Sequence, residues 1–208
     1  MAHKTPLFVT GIGTDVGKTV VSALLVEKLK ADYWKPIQSG DLDNSDTMKV
    51  RSLVANDKSL FHTEAYRLTQ PFSPHKSADI DGVKITLDDI IAPETDNQLL
   101  IEGAGGLMVP LNDHDFVIDL ISKLNVEVIL VVKHYLGSIN HTMLSLELLK
   151  QRNIKVHSIV YNGPADPYSE AIISNYCDQI VHIPQLETLT KESISRLAKS
   201  IKWKSSNV

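Results

Sequence analysis

The sequence predicts an α/β protein in which a parallel sheet is covered by helices on both faces. Short apolar runs typical of buried strands alternate with segments whose apolar residues recur at helical spacing. The run at 126–132 (VEVILVV) is apolar at every position except Glu127, as expected of a strand buried on both sides. The 208 residues are enough for one core, and no linker or repeat divides them. We therefore expect a single domain over residues 1–208.

The composition indicates a reducing compartment and gives no sign of a nucleic acid or membrane partner. A formal net charge of −4 provides no global attraction for nucleic acid or anionic lipid. Cys177 is the single cysteine in the sequence, which excludes an internal disulfide and a cysteine-rich metal site. The N-terminus lacks an apolar signal core, and no segment has the length of a membrane span. We expect a cytoplasmic protein.

The loop after the first predicted strand indicates a phosphate site. The apolar run at 7–9 leads to Gly11, and Gly17-Lys18-Thr19 opens a segment with apolar residues at helical spacing. In a P-loop, backbone N–H groups converge on phosphate oxygens, the lysine reaches the β and γ phosphates, and the threonine hydroxyl holds Mg²⁺. Five residues rather than the common four separate the glycines, and a chance Gly-Lys-Thr is the competing interpretation. We expect a nucleoside triphosphate here and a sheet of the P-loop NTPase type.

The next segment places a lysine and an acid after a short strand. Residues 33–37 (YWKPI) predict that strand, so Lys35 lies where open α/β sheets carry functional groups. A tight turn would bring Ser39 to the same cleft, whereas the alternative for Lys35 is a solvated surface lysine. Asp46, in the first turn of a predicted helix, is either a surface acid favoured by the helix dipole or a magnesium ligand.

The pattern between this segment and the next motif is weaker. Asn44 or Ser45 is expected to cap a helix that runs through residue 53. Residues 58–82 predict a long irregular loop, which at this length is often functional. A short helix is expected over 86–91, capped by Thr86 and ended by Pro93.

A second strong motif combines an acid with glycines. Residues 99–101 predict a buried strand with Glu102 at its carboxyl end and a glycine-rich turn at 103–106. In P-loop proteins an acid in this place holds or orients Mg²⁺, and glycines let the backbone pass close to phosphates. A structural acid before a turn is the competing interpretation.

Three further strand–helix units complete the predicted sheet. The helix after 126–132 begins near Ser138 and Asn140, which either cap it or help bind a carboxylate or phosphate. Strands at 156–161 and 179–183 should end on the edge of the sheet that holds the P-loop, because parallel strands share a direction. Asn162, at one of these ends, either reads the edge of a base or serves an Asn-Gly turn.

These segments, in order along nearly the whole chain, resemble the dethiobiotin synthetases, ATP-dependent enzymes of biotin synthesis. The resemblance accounts for the P-loop spacing, and it has one departure at Gly13, where many members carry an acid. The matching segments are GIGTDVGKT at 11–19, KPIQSG at 35–40, NSD at 44–46, YRL at 66–68 with Pro71 and Pro74-His75, EGAGG at 102–106 and GSINH at 137–141.

The resemblance implies a reaction. The diamine 7,8-diaminononanoate, CO₂ or bicarbonate, and ATP with Mg²⁺ would form the ureido ring of dethiobiotin through a phosphorylated carbamate. Lys35 would hold the carbamate and Lys18 the phosphates, which makes these two lysines the catalytic residues. The functional unit would be a homodimer, because in the family the distant substrate carboxylate binds a helix N-terminus of the other subunit.

The resemblance also implies sets of binding residues. The metal ligands would be Thr19, Asp46 and Glu102. The diamine would contact Thr14, Lys35, Ser39, Gly137, Ser138, Ile139 and Asn140. ATP would contact Asp15, Val16, Gly17, Lys18, Thr19, Val20, Asp46, Glu102, Gly103, Ala104, Gly105, Asn162, Gly163, Pro184, Gln185, Leu186 and Glu187.

The alternative function is an ATP-driven switch of the cell-division or chromosome-partition type. A basic amphipathic helix predicted at 190–203 and continued by Lys204 would bind membrane or DNA in such a protein, unless it docks on the sheet. Against the switch, those proteins carry a second lysine near the start of the P-loop, where this chain has Thr10-Gly11-Ile12. They also carry Asp where this chain has Glu102. The sequence therefore favours the synthetase.

Overall fold

The structure is a computed structural model that describes residues 4–203. Its strands are β1 (Leu7–Gly11), β2 (Asp32–Trp34), β3 (Ile37–Ser39), β4 (Phe61–His62), β5 (Tyr66–Leu68), β6 (Leu99–Gly106), β7 (Glu127–Val132), β8 (Val156–Asn162) and β9 (Ile180–Ile183). Its α-helices are α1 (Lys18–Leu29), α2 (Asp46–Leu53), α3 (Pro74–Ile80), α4 (Val117–Leu124), α5 (Ser138–Gln151), α6 (Pro167–Ile173) and α7 (Lys191–Ser200).

Seven of the strands form one parallel sheet in the order β4-β2-β6-β1-β7-β8-β9, and β3 pairs with β5 apart from it. The central strand β1 lies between β6 and β7. All carboxyl ends of the main sheet therefore meet at one edge, which is where such sheets bind ligands.

Helices cover both faces of this sheet. Every residue of β1 is buried, as are the last five of β7. Because successive side chains of a strand point to opposite faces, burial of all of them requires cover on both sides. The predicted α/β fold of the P-loop NTPase type is confirmed, while a single domain over all 208 residues stays a prediction.

The strand expected over 33–37 is wrong at its end. The main-sheet strand stops at Trp34, and the chain pairs again only from Ile37, this time with β5. Pro36 lacks a backbone N–H and cannot continue the ladder, so the chain leaves the sheet there. Lys35 therefore stands at the break between two strands.

Two weaker expectations are also wrong. Residues 58–82 are not an irregular loop, because they contain β4, β5 and α3. Residues 86–91 form a turn instead of a helix. The hydroxyl of Thr86 donates to the Asp89 carboxylate, whereas the hydroxyl of a helix cap accepts from a backbone N–H. Tyr66 accepts from the Thr86 N–H and also donates to Asp89. These side-chain bonds hold the segment as a turn.

The glycine-rich turn expected at 103–106 is instead the end of β6, in which Gly106 is paired with Gly11 of β1. Packing explains one of these glycines. A Cβ on Gly103 would lie 2.5 Å from the Phe8 ring, so no larger residue fits between β6 and β1. Gly103 therefore permits a close approach between β6 and the core residue Phe8.

The basic segment at the carboxyl end docks on the body of the protein. Helix α7 packs against α1, with Ile194 and Ala198 buried. Trp203 stacks on His157 with ring centroids 5.1 Å apart. Lys204 lies outside the described residues. Within residues 4–203, no helix has both the length and the apolar character needed to cross a membrane.

Candidate active site

The P-loop joins β1 to α1 and is braced from β8. Gly17 has a φ of +94°, and a Cβ there would lie 1.9 Å from the Asn162 amide nitrogen. That amide donates to the Val16 carbonyl at 2.9 Å, so Asn162 holds the loop from the end of β8, which is separated from β1 by β7. This contact is neither of the two roles predicted for Asn162.

Lys18 folds back across the loop. Its ammonium donates to the Gly13 carbonyl at 3.2 Å, and its side chain is buried at the start of α1. Burial lowers the pKa of Lys18, against the opposing attraction of Glu102. Because burial disfavours the charged form of Lys18, negatively charged phosphate oxygens beside its ammonium would stabilise that form.

Glu102 is the centre of the site. Its Oε1 accepts from the Thr19 hydroxyl at 3.0 Å, and its Oε2 accepts from the Tyr33 hydroxyl at 3.0 Å. Lys35 reaches the same Oε1 at 3.4 Å. The residue is 1% exposed, so these groups satisfy a carboxylate that water barely reaches.

Lys35 is buried between two carboxylates, which excludes the solvated surface lysine. Its Nζ lies 2.5 Å from Asp46 Oδ2 and 3.4 Å from Glu102 Oε1. Burial alone would lower the pKa of Lys35, but Glu102 and then Asp46 outweigh it, so the pKa is raised. In the same way burial would raise the pKa of Asp46, but Lys35 lowers it. Both groups therefore stay charged near neutral pH.

The start of α2 carries Asp46 into the site. Ser45 caps this helix, accepting from the Met48 N–H at 3.3 Å, which decides between the two predicted caps. The Gln38 side chain accepts from the Asp46 N–H at 3.2 Å and donates to the Gly40 carbonyl at 2.9 Å. Gln38 therefore ties the Asp46 helix to the loop after β3.

These groups line one cleft of about 740 Å³. The hydroxyl of Ser39 is buried there without a hydrogen-bond partner among the described residues. Of the predicted site residues, the cleft brings together Thr14, Asp15, Gly17, Lys18, Thr19, Lys35, Ser39, Asp46, Glu102, Ala104 and Gly105.

The oxygen atoms in the cleft fit a magnesium ion. The carboxylates of Asp46 and Glu102 flank the Lys35 ammonium, and the Thr19 hydroxyl contacts Glu102. Mg²⁺ prefers such oxygen ligands together with phosphates and water. Across residues 4–203, no group of three or more His, Cys, Asp or Glu side chains forms a metal site by itself. The set therefore suits an ion that arrives with a nucleotide.

Other predicted residues lie outside this cleft. Gly163 donates from its N–H to the Ile183 carbonyl at 2.9 Å, which places the 184–187 segment beside Asn162 and so close to the P-loop. Residues 137–140 start α5 instead. No side chain caps that helix, contrary to the role predicted for Ser138 or Asn140 as caps. The Ser138 N–H already donates to the Tyr135 carbonyl at 2.9 Å, so within this first turn the N–H groups of Ile139 and Asn140 are the ones left for an anion.

The sequence analysis missed Tyr33, Gln38, Lys49 and Phe72, which contact site residues or line the cleft. For Tyr33 the sequence indicates a side but not a partner. It precedes Lys35 by two residues, and alternate residues of an extended chain point to the same side. Gln38 lies in β3, Lys49 in α2 and Phe72 in the segment before α3, and the pattern did not predict how these parts are placed around the cleft.

Comparison with known proteins agrees with this geometry. A family model described as an AAA domain matches residues 5–193. An ATP-dependent dethiobiotin synthetase of Christiangramia forsetii is 58% identical over 166 residues, which cover 80% of each chain. One from Cytophaga hutchinsonii is 50% identical over 194 residues, covering 92% of this chain and 94% of the relative.

Solved structures share the fold at low identity. A ParA family ATPase from Chlorobium tepidum is 14% identical with a TM-score of 0.56, covering 95% of this chain and 100% of that one. The cell division ATPase MinD of Pyrococcus furiosus is 13% identical with a TM-score of 0.58, covering 94% and 97%. Such likeness concerns the fold alone, whereas the curated relatives match in sequence over most of their length. The chain belongs to the family of ATP-dependent dethiobiotin synthetases, ligases of biotin synthesis.

Proposed function

We propose that this chain closes the ureido ring of dethiobiotin from 7,8-diaminononanoate, CO₂ and Mg-ATP through a phosphorylated carbamate. The observation that carries the proposal is the Lys35 ammonium, buried 2.5 Å from Asp46 and 3.4 Å from Glu102, in the same cleft as the P-loop residues Lys18 and Thr19. A cation in that position can hold a carbamate anion beside a γ-phosphate.

The reaction has three bond-forming steps. A neutral amine of the diamine adds to CO₂ and loses its proton, which gives a carbamate. A carbamate oxygen then attacks the γ-phosphorus and ADP leaves. The second amine attacks the carbonyl carbon, loses its proton, and expels inorganic phosphate as the ring closes. Two anions must meet in the second step, so catalysis depends on positive charge and on positioning.

Each charged residue has a defined role in this scheme. Lys18 binds the β and γ phosphates, and Lys35 binds the carbamate. The raised pKa of Lys35 favours an ammonium that supplies charge over a base that removes a proton. Thr14 and the unpartnered hydroxyl of Ser39 would bind the diamine or carbamate end.

Thr19, Asp46 and Glu102 would hold Mg²⁺. The ion, when bound, neutralises charge on the β and γ oxygens of the nucleotide. Residues 162–163 and 184–187 would hold the adenosine part, since they lie beyond the braced P-loop.

We further propose a homodimer in which residues 137–140 complete the partner's substrate site. These residues lie outside the P-loop cleft of their own chain, and the N–H groups of Ile139 and Asn140 at the start of α5 suit a carboxylate. Leu136, just before α5, is 103% exposed, and Leu144, within α5, is 61% exposed, so apolar side chains are displayed on this part of the surface. We expect the dimer to be cytoplasmic, without nucleic acid or membrane partners.

The decisive experiment measures phosphate release and dethiobiotin formation from Mg-ATP and bicarbonate, with and without the diamine. We expect one phosphate per ring formed and negligible release without the diamine. Release that ignores the diamine, or that liposomes or DNA accelerate, would overturn the proposal and support a switch.

The dimer has its own test. Leu136→Glu should shift the protein toward monomer in sedimentation and lower activity at dilute concentration, whereas Leu189→Glu, at a residue that is also exposed, should do neither. A fully active monomer would contradict the shared site.

A further inference from the structure

Tyr33 is a buried neighbour of Glu102 that none of the steps above uses. We propose that Tyr33 is a positioning residue for the metal site, whose hydroxyl holds Glu102 Oε2 so that Oε1 faces Thr19 and Lys35. This inference rests on the proposed function, in which Glu102 is a magnesium ligand.

The two oxygens of Glu102 have different partners. Oε2 accepts from Tyr33 at 3.0 Å, while Oε1 accepts from Thr19 at 3.0 Å and lies 3.4 Å from Lys35. The terminal torsion of a glutamate is broad, so a carboxylate with no donor on one side can rotate. The donor on one oxygen therefore restrains the torsion of the carboxylate, so that the other oxygen faces the P-loop.

The hydroxyl of Tyr33 is itself held in place. Tyr33 is fully buried in β2, with its backbone paired to Leu100 of β6 and its ring against Phe61 at 6.1 Å between centroids. The strand pairing and the ring packing therefore fix where the phenol oxygen lies.

The test replaces Tyr33 with phenylalanine, which keeps the ring and deletes the donor. We expect half-saturating Mg²⁺ in diamine-dependent phosphate release to rise about tenfold, since one charge-assisted hydrogen bond is lost. The rate at saturating Mg²⁺ should stay within about threefold, because Oε1 is still available to the ion. A readout without turnover is Mn²⁺ binding to the ADP complex by electron paramagnetic resonance, which should weaken by a similar factor.

Tyr161→Phe is the matched control, because the Tyr161 hydroxyl is also buried but has no hydrogen-bond partner among the described residues. It should leave both readouts unchanged. Unaltered Mg²⁺ and Mn²⁺ affinity in Tyr33→Phe would overturn the inference. So would failure of Tyr33→Phe to fold while Tyr161→Phe folds, because the hydroxyl would then be structural.

A separate variant distinguishes this failure from failure of the proposed function. If Glu102→Gln binds Mn²⁺ as tightly as the wild type, Glu102 is not a metal ligand, and the roles proposed for Glu102 and Tyr33 both fall, whereas the ring-closing reaction itself is tested by diamine-dependent phosphate release. If Glu102→Gln loses Mn²⁺ but Tyr33→Phe does not, only the role of Tyr33 is refuted.

Discussion

Replacing Lys35 with methionine would remove the one cation that lies between Asp46 and Glu102 while keeping a side chain of similar length. Breaking a buried ion pair costs about 3–5 kcal/mol, and we expect about 3 kcal/mol because Asp46 keeps 23% of its side-chain surface exposed. At about 2–4 °C per kcal/mol for a chain of this size, the melting temperature should fall by about 6–12 °C. Turnover should fall about 10²–10³-fold, as when a single preorganised donor to a developing anion is lost.

Two further variants show whether charge is the cause. Adding Asp46→Asn to Lys35→Met removes one of the two carboxylates that lose Lys35, although Asp46 keeps Lys49 at 3.7 Å, so stability should partly return while activity does not. Lys155→Met is the control, because the exposed Lys155 also contacts a carboxylate, Glu127, at 2.8 Å and should cost no more than about 0.5 kcal/mol. Calorimetry and phosphate release measure these effects. A Lys35→Met protein with unchanged melting temperature and turnover within threefold of the wild type would refute the reasoning.

Three further predictions test other parts of the molecule. Lys18→Ala should weaken ATP binding at least about tenfold in titration calorimetry, because it removes the P-loop cation; ordinary binding would contradict the phosphate site. Burial alone would raise the pKa of Asp32, but hydrogen bonds, led by that from Thr95, outweigh burial, so the pKa is lowered. Asp32 therefore stabilises the folded state above its unfolded pKa of about 3.9, and this contribution is lost as pH falls. Asp32→Asn should therefore flatten the acid side of the stability curve in urea unfolding; an unchanged slope would be evidence against this. Ile194→Ala should cost about 2–4 kcal/mol of folding free energy, because Ile194 is a fully buried residue of α7. An unchanged folding free energy would mean that α7 is not docked.

The main fold was predictable because it depends on local pattern. The run at 126–132 is apolar at every position except Glu127, and a strand with such a sequence is stable only when both faces are covered. The failures at 86–91 and 58–82 have a different cause from those at 33–37 and 103–106, because short elements there are stabilised by contacts from distant residues. Thr86 looks like a helix cap, yet the hydroxyl of Tyr66, 20 residues earlier, decides its conformation.

The position of the site residues was predictable for a related reason. Lys35 and Glu102 both follow apolar strand residues, and parallel strands deliver their carboxyl ends to one edge. Their partners were not predictable, because pairing requires the order of strands in the sheet. β2 and β1 flank β6. Tyr33 and Thr19 therefore both reach the side chain of Glu102, although they precede it by 69 and 83 positions in the sequence.

The same geometry explains why a tyrosine can serve the site without any motif to mark it. A residue in a P-loop must adopt a special backbone conformation, which leaves a trace in the sequence as Gly17, with φ at +94°. Tyr33 lies in a regular strand, where tyrosine is an ordinary choice for a buried position, and its phenol reaches across to the neighbouring strand. Only the coordinates reveal that the oxygen it meets belongs to Glu102. A residue that positions the site from a regular strand therefore leaves no recognisable sequence pattern, whereas a residue that does so from a strained loop does leave one.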